Sequence, residues 1–277
     1  MDVEPYQVHV PEDALARLRQ RLALVEYPNE LEDAGWDLGS PLADVKRLTT
    51  AWKDEFDWRK AGKEINRLPQ CKTFIEVDGF EPLNIHFLHQ KSSVARPGNF
   101  LEVRKILPLL TNSSSKDTPS FHVVAPSLPN FGISDGVKKR GFGLQQYAET
   151  FHKLMFKLGY NEYVTQGGDW GFTMIRAMAF LYPKSCKASH LNVVEGGLPP
   201  SLSTHLLLWL RHKLTVYTSQ ERTGLERSRQ HQNIGMGYDW QQRTKPQTIG
   251  YALADSPVAL LAWIYEKMIN WITNILG

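Results

Sequence analysis

The stretch VTQGGDWGFTMIRAMAF, residues 164–180, sets an aspartate among glycines where an extended run gives way to an apolar helical one. Gly167-Gly168-Asp169-Trp170-Gly171 fits the pattern small–x–nucleophile–x–small. Tyr163–Gln166 reads as a strand before it, and a helix follows to Leu181. That is the setting of a nucleophile elbow, a sharp strand-to-helix turn that lifts its central residue clear of the sheet. Such a turn leaves room only for tiny neighbours, which Gly167 and Gly171 supply. The helix begins at once, so its free N–H groups and positive dipole end face the central residue. The N–H of Trp170 is then one arm of an oxyanion hole. The competing reading is plainer: Gly-Gly-Asp is a turn and Asp169 a helix cap.

A carboxylate at the elbow changes the chemistry. It is already ionised, attacks a saturated carbon and leaves an alkyl-enzyme ester that water must cleave with the help of a general base. The substrates that suit it are strained or activated at carbon, which means epoxides or alkyl halides.

The surrounding sequence supplies a sheet for the elbow. PEDALARLRQRLALVE (residues 11–26) reads as a helix with Leu15, Leu18, Leu22 and Val25 on one stripe. A second helix starts at SPLADV, with Ser40 as cap, and a third runs from Trp58 towards Leu68. The pattern then switches to period two. CKTFIEVDGFEPLNIHFLHQ reads as two strands around Asp78-Gly79. A loop over 91–99, a helical FLEVRKILPLL, a buried strand in Phe121–Pro126 and an amphipathic helix in GLQQYAETFHKLMFKLGY lead to the elbow. ASHLNVVEG follows it as a further strand. Strands alternating with helices predict an α/β fold with a mostly parallel sheet and helices on both faces. Residues 201–277 read as helical. The predicted organisation is a helical extension over 1–70, an α/β core over 71–198 and a helical cap over 199–277.

Composition narrows the rest. The 277 residues are 42% hydrophobic and 22% charged, ordinary for a globular chain with a sizeable core. A net charge of +3 without a basic block argues against a nucleic-acid partner. Cys71 and Cys186 cannot make a disulfide framework, and no metal-ligand spacing or phosphate loop occurs, so no metal and no cofactor are expected. HLLLWL, the longest apolar run, is far short of the roughly 20 residues a bilayer needs. No transmembrane segment or secretory leader is read, and the cytoplasm is the expected location.

Beyond the elbow, long stretches resemble the microsomal-type epoxide hydrolases, in a fungal version: α/β-hydrolases with a helical N-terminal extension. LARLRQRLALVEYPNELEDAGWDLG, FDWRK and INRLPQCKTFIEVDG carry the resemblance in the extension. LNIHFLHQKS, VVAPSLPNFGIS and GGDWG carry it in the core, and TKPQTIGYALADSPVALLAWIYEKMINW in the cap. The resemblance implies that Asp169 opens a small-molecule epoxide, that two cap tyrosines donate hydrogen bonds to its oxygen, and that a histidine paired with an acid activates water to release a diol. Tyr238, in GMGYDWQQRTKPQT, matches one of the tyrosines. The plainer reading of Tyr238 is a half-buried residue in a glycine-rich turn. A homodimer is the protein partner that the resemblance leaves open.

Two departures bear on activity. The family carries a strand and a glycine-rich turn before FLE that supply the second oxyanion N–H. Here HQKSSVARPGNFLEV lacks the apolar run of a buried parallel strand. The sheet is thus expected to be incomplete at its third strand. The chain also ends in NWITNILG, inside the cap, so the late strands, the second tyrosine and the base histidine are expected to be missing. His190, His205, His212 and His231 follow Asp169, but each reads as a surface or cap residue, and no general-base histidine is assigned. A haloalkane dehalogenase, with Trp170 as halide donor, and a non-catalytic relative remain the alternatives.

Overall fold

The computed structural model describes residues 3–91, 103–111, 119–192, 202–203 and 205–276. They fall into two compact units. One holds Met1–His9 and Arg59–Gly197, the other Val10–Trp58 and Leu198–Gly277. This division cuts across the predicted extension: its first two helices group with the cap helices, its ends with the sheet.

In the first unit, strands β1 (Glu4–Pro5), β2 (Gln70–Ile75), β3 (Leu83–Gln90) and β4 (Val123–Pro126) form one sheet in that order. Every ladder in it is antiparallel. The predicted turn closes β2 on β3: Gly79 takes φ 81°, open to glycine at no steric cost, and the Phe80 N–H reaches the Val77 carbonyl at 3.0 Å. β1 was not read from the sequence, because Glu4-Pro5 has neither length nor alternation. Strands β5 (Tyr163–Gly167) and β6 (Cys186–Leu191) pair in parallel as a separate two-stranded sheet. Of the expected mostly parallel sheet, β5–β6 is the parallel ladder among the described residues, and there β4 pairs with β3 on one side and exchanges no ladder with β5. The stretch read as a missing inner strand falls largely on residues 92–100, outside the described residues.

Helix α5 (Leu144–Lys157) spans that break. Its Leu154 is buried with Ile75, Val77, Leu83, Ile85 and Phe87 of the antiparallel sheet. Its Ala148 and Phe151 are buried with Tyr163, Met174, Met178 and Cys186, from β5, β6 and the helix α6 (Trp170–Leu181) between them. Glu149 on the same helix accepts from the Asp78 N–H at 2.9 Å and from Lys153 Nζ at 2.6 Å, fastening the β2–β3 turn to α5. The remaining helices of this unit are α3 (Trp58–Ile65) and the short α4 (Val103–Ile106).

A buried polar chain ties the unit's first residues to β3. His86 is fully buried. Its Nε2 lies 3.2 Å from Gln70 Oε1 and its Nδ1 2.8 Å from Ser127 Oγ. A glutamine carbonyl oxygen can only accept, so Nε2 carries the proton and Nδ1 accepts from the serine hydroxyl. Gln70 donates onward to the Ile65 carbonyl, and Asn66 exchanges two bonds with the Val8 backbone. Burial, with Lys72 nearby, pushes the imidazole down to about 4.

In the second unit, α1 (Glu12–Ala23) and α2 (Leu42–Asp54) pack with the last helices, α10 (Pro246–Asp255) and α11 (Pro257–Leu276). Leu22, Val45 and Val258 form its core, with the predicted stripe residues Leu18 and Val25 against it. Arg21 donates to the carbonyls of Ala254 and Asp255, where the α10 dipole ends negative. Ser40 does not cap α2 as predicted. Its hydroxyl donates to the Ala262 carbonyl at 3.0 Å, and Glu30 takes the Leu42 N–H at 2.6 Å instead. Helices α7 (Leu206–Leu214), α8 (Ser219–Gln230) and α9 (Gly237–Thr244), with a π-turn over His231–Gly235, complete the unit.

Leu154→Ala is expected to destabilise the chain by about 3 kcal/mol, the range for a buried leucine truncated in a core, measured by denaturant unfolding. The buried imidazole sets a pH dependence. An unfolded His86 takes up a proton near pH 6.5, whereas the folded one resists until about 4. Its contribution is thus fully present above pH 6.5 and is lost as pH falls through that window, by about 3 kcal/mol in all. Denaturation midpoints at pH 7.5 and 4.5 should differ in this sense, and His86→Gln should flatten the difference.

Candidate active site

β5 delivers the chain to the elbow and α6 carries it away. Asp169 sits between them with φ 49° and ψ −129°, a conformation that non-glycine residues rarely adopt. Holding it costs on the order of 1–3 kcal/mol that the surrounding structure must supply. Asp169 occupies the N-cap position of α6, yet its side chain makes no capping hydrogen bond. Among the described residues its exposed carboxylate meets no hydrogen-bond or ion-pair partner. The Phe172 N–H returns to the carbonyls of Gly168 and Asp169, at 3.3 and 3.0 Å, and closes the first turn. The N–H groups of Trp170 and Gly171 lie ahead of that closure at the helix's open, positive end. The Trp170 ring is 56% exposed.

The two glycines singled out in the sequence behave differently. A Cβ on Gly167 would lie 2.7 Å from the Gly171 carbonyl carbon and 2.8 Å from its oxygen, so the strand end and first helical turn touch backbone to backbone. A Cβ on Gly171 would meet nothing within 4 Å. Gly168 is also crowded: a Cβ there would come within 2.3 Å of Asn192 Oδ1. Asn192 was not foreseen, since nothing local in the sequence marks it. The parallel register, Gly167 opposite Leu191, brings it beside Gly168.

The histidines after Asp169 occupy the places expected of surface and cap residues. His190 is exposed on β6, opposite Gln166. His205 precedes α7, His212 bonds the Tyr217 hydroxyl at 2.6 Å, and His231 opens the π-turn, all in the other unit. Four histidines upstream are committed elsewhere. His86 belongs to the buried chain above. His89 and His122 both reach the Tyr160 hydroxyl at 2.9 Å. A phenol has one proton, so it donates to one imidazole and accepts from the other. Burial first, then Lys91 and His122, holds His89 below its ordinary range. His152 bonds the Tyr163 hydroxyl at 2.8 Å, and burial lowers it also.

Tyr238 lies in the first turn of α9, in the second unit, half-buried. Its ring meets the Trp271 ring edge-on at 5.9 Å, and Lys267 Nζ stands 4.5 Å from its centroid. An open cleft of about 780 Å³ lies along the β2–β3 turn and α5, lined by Phe74, Glu76, Glu81, Lys153 and Lys157 among others. It contains none of the sequence-predicted site residues. Among the described residues no three His, Cys, Asp or Glu side chains converge as a metal site, and no helix is long and apolar enough to cross a membrane.

Comparison with known proteins fits this geometry. The family model for the epoxide hydrolase N terminus matches residues 3–112, and the model for the alpha/beta hydrolase fold matches residues 95–218. Epoxide hydrolase 1 of Sus scrofa is 35% identical, covering 97% of this chain and 63% of its own length. The juvenile hormone epoxide hydrolase of the silkworm Bombyx mori superposes with a TM-score of 0.85 at 28% identity, covering 98% of this chain and 66% of that one. The Aspergillus niger epoxide hydrolase superposes at 0.78 with 30% identity over 96% of this chain and 69% of that one. An enantioselective mutant of it reaches 31% with the same coverage. The chain spans 61–63% of the length of the first curated relatives it matches. The core thus has the α/β-hydrolase fold despite its divided sheet, and the chain belongs to the epoxide hydrolase family.

Proposed function

We propose that this chain carries the nucleophilic half of epoxide hydrolysis, with Asp169 as the nucleophile and Tyr238 as a donor to the epoxide oxygen. The observation that carries the reading is the Asp169 backbone, held at positive φ between β5 and α6 with an uncommitted carboxylate. A capping aspartate needs neither feature.

In the first step an Asp169 carboxylate oxygen attacks an epoxide carbon. The C–O bond of the strained ring breaks, its electron pair moves to the ring oxygen, and the Tyr238 hydroxyl delivers a proton there. The product is a hydroxyalkyl ester on Asp169, and the phenolate recovers its proton from water. In the second step water adds to the ester carbonyl carbon, the Trp170 N–H stabilises the oxyanion, and the diol departs. That water needs a base. None is assigned among the histidines of this chain, so the ester accumulates. The functional layout in this reading is extension, core and cap over 1–70, 71–198 and 199–277, working on a small-molecule epoxide in the cytoplasm, with no metal or cofactor in the reaction. A homodimer is compatible with it.

A second reading, a non-catalytic relative, is favoured by the absence, among the described residues, of a ladder between β4 and β5.

Intact-protein mass after incubation with a small aryl epoxide separates the two. A lasting adduct of one epoxide per chain, absent from Asp169→Ala, is expected. No adduct, with the epoxide unconsumed, selects the non-catalytic reading. Multiple turnover to diol contradicts the reading that none of this chain's histidines acts as the base. Tyr238→Phe should slow adduct formation by about 100-fold, the scale for losing one donor to a developing oxyanion, with unfolding unchanged.

A further inference from the structure

We infer that Lys267 is a positioning residue for the reaction: its ammonium, over the Tyr238 ring, strengthens that phenol as a proton donor to the opening epoxide. The inference rests on the assignment of Tyr238 above.

α11 is a predominantly apolar helix, and a lysine facing inward from it needs a reason. The Lys267 side chain is only 12% exposed. Its Nζ lies 4.5 Å from the Tyr238 centroid, well within cation–π range. Lys267 and Trp271 are four residues apart, hence on one face of α11, and both meet the same phenol. Trp271 touches it edge-on at 5.9 Å and restricts its rotation. Glu266 pairs with the ammonium and holds it in place.

The charge matters when the proton moves. As the epoxide C–O bond breaks, Tyr238 gives up its proton and becomes a phenolate. A cation a few ångströms away favours the charged form of such a group and so lowers the free energy of that transfer. The other ionisable groups near Tyr238 do less. On α9 itself, Asp239 and Arg243 neutralise each other at 3.0 Å. On α10, Tyr251 is exposed and Asp255 pairs with Arg21. From α11, Glu266 pairs with the Lys267 ammonium.

The test uses the full chain labelled with 3-fluorotyrosine, with the Tyr238 fluorine resonance identified by its loss in Tyr238→Phe. Lys267→Met keeps the aliphatic stem and removes the charge, and Lys267→Arg keeps the charge. Lys267→Met should raise the Tyr238 titration midpoint by about one pH unit, at the low end for a neighbouring charge, and Lys267→Arg should leave it in place. The rate of epoxide adduct formation should fall by about 10-fold in Lys267→Met and recover in Lys267→Arg. Lys267→Met combined with Tyr238→Phe should be no slower than Tyr238→Phe alone. An unmoved midpoint overturns the inference while leaving the proposed function intact. A moved midpoint with an unchanged adduct rate, or additive losses in the double variant, also overturns it. A moved midpoint in a chain whose parent forms no adduct overturns the proposed function, and the role of Lys267 in it falls with it. If Lys267→Met does not fold, Lys267→Gln carries the same comparison.

Discussion

The first unit depends on α5. The two sheets share no hydrogen-bonded ladder among the described residues, so the usual means of joining strands, backbone pairing, does not hold them together. Side-chain burial does. Leu154 enters the antiparallel core, while Ala148 and Phe151 enter the core of β5, β6 and α6. Burial is non-directional and scales with apolar area, whereas a ladder fixes register. A helix bridging two sheets therefore holds them close but orders them less strictly than an intervening strand would. Glu149 adds a directional constraint through the Asp78 N–H and Lys153. Lys153 also donates to the Asp78 carboxylate at 2.9 Å, and that hydrogen bond is the chief cause that holds the carboxyl below its ordinary range.

The elbow sits on the smaller of the two sheets. Its strain at Asp169 is local and is held by local devices: the backbone contact of Gly167 with Gly171, the crowding of Gly168 by Asn192, and the closure of Phe172 onto Gly168 and Asp169. Met174 and Met178 anchor α6 in the same core as Tyr163. The pieces that aim the carboxylate thus come from β5, α6 and the end of β6. That is why the elbow keeps its geometry where the sheet beside it is divided.

The polar groups of the two units follow different logic. In the first, histidines are satisfied by neutral partners: His86 between Gln70 and Ser127, His89 and His122 around one phenol. The low basicity of His86 and His89 follows chiefly from burial. In the second, Lys267 stands beside an aromatic ring and a carboxylate, those of Tyr238 and Glu266.

The sequence by itself determined the local elements and the motif. The alternation around Asp78-Gly79, the stripe Leu15–Leu18–Leu22–Val25, and the strand–Gly-Gly-Asp-Trp-Gly–helix junction are short-range patterns, and each element formed near its predicted place. Contacts distant in sequence were decided by tertiary structure alone. Pairing with β2 made a strand of Glu4-Pro5, which has no strand pattern of its own. Ser40 lost its capping role to a carbonyl 222 residues away. Asn192 came beside Gly168 only through the β5–β6 register, and Lys267 came over Tyr238 only once α9 met α11. Periodicity records which face of an element is buried, but not which other element covers it. The partners of a polar side chain are set by that second choice.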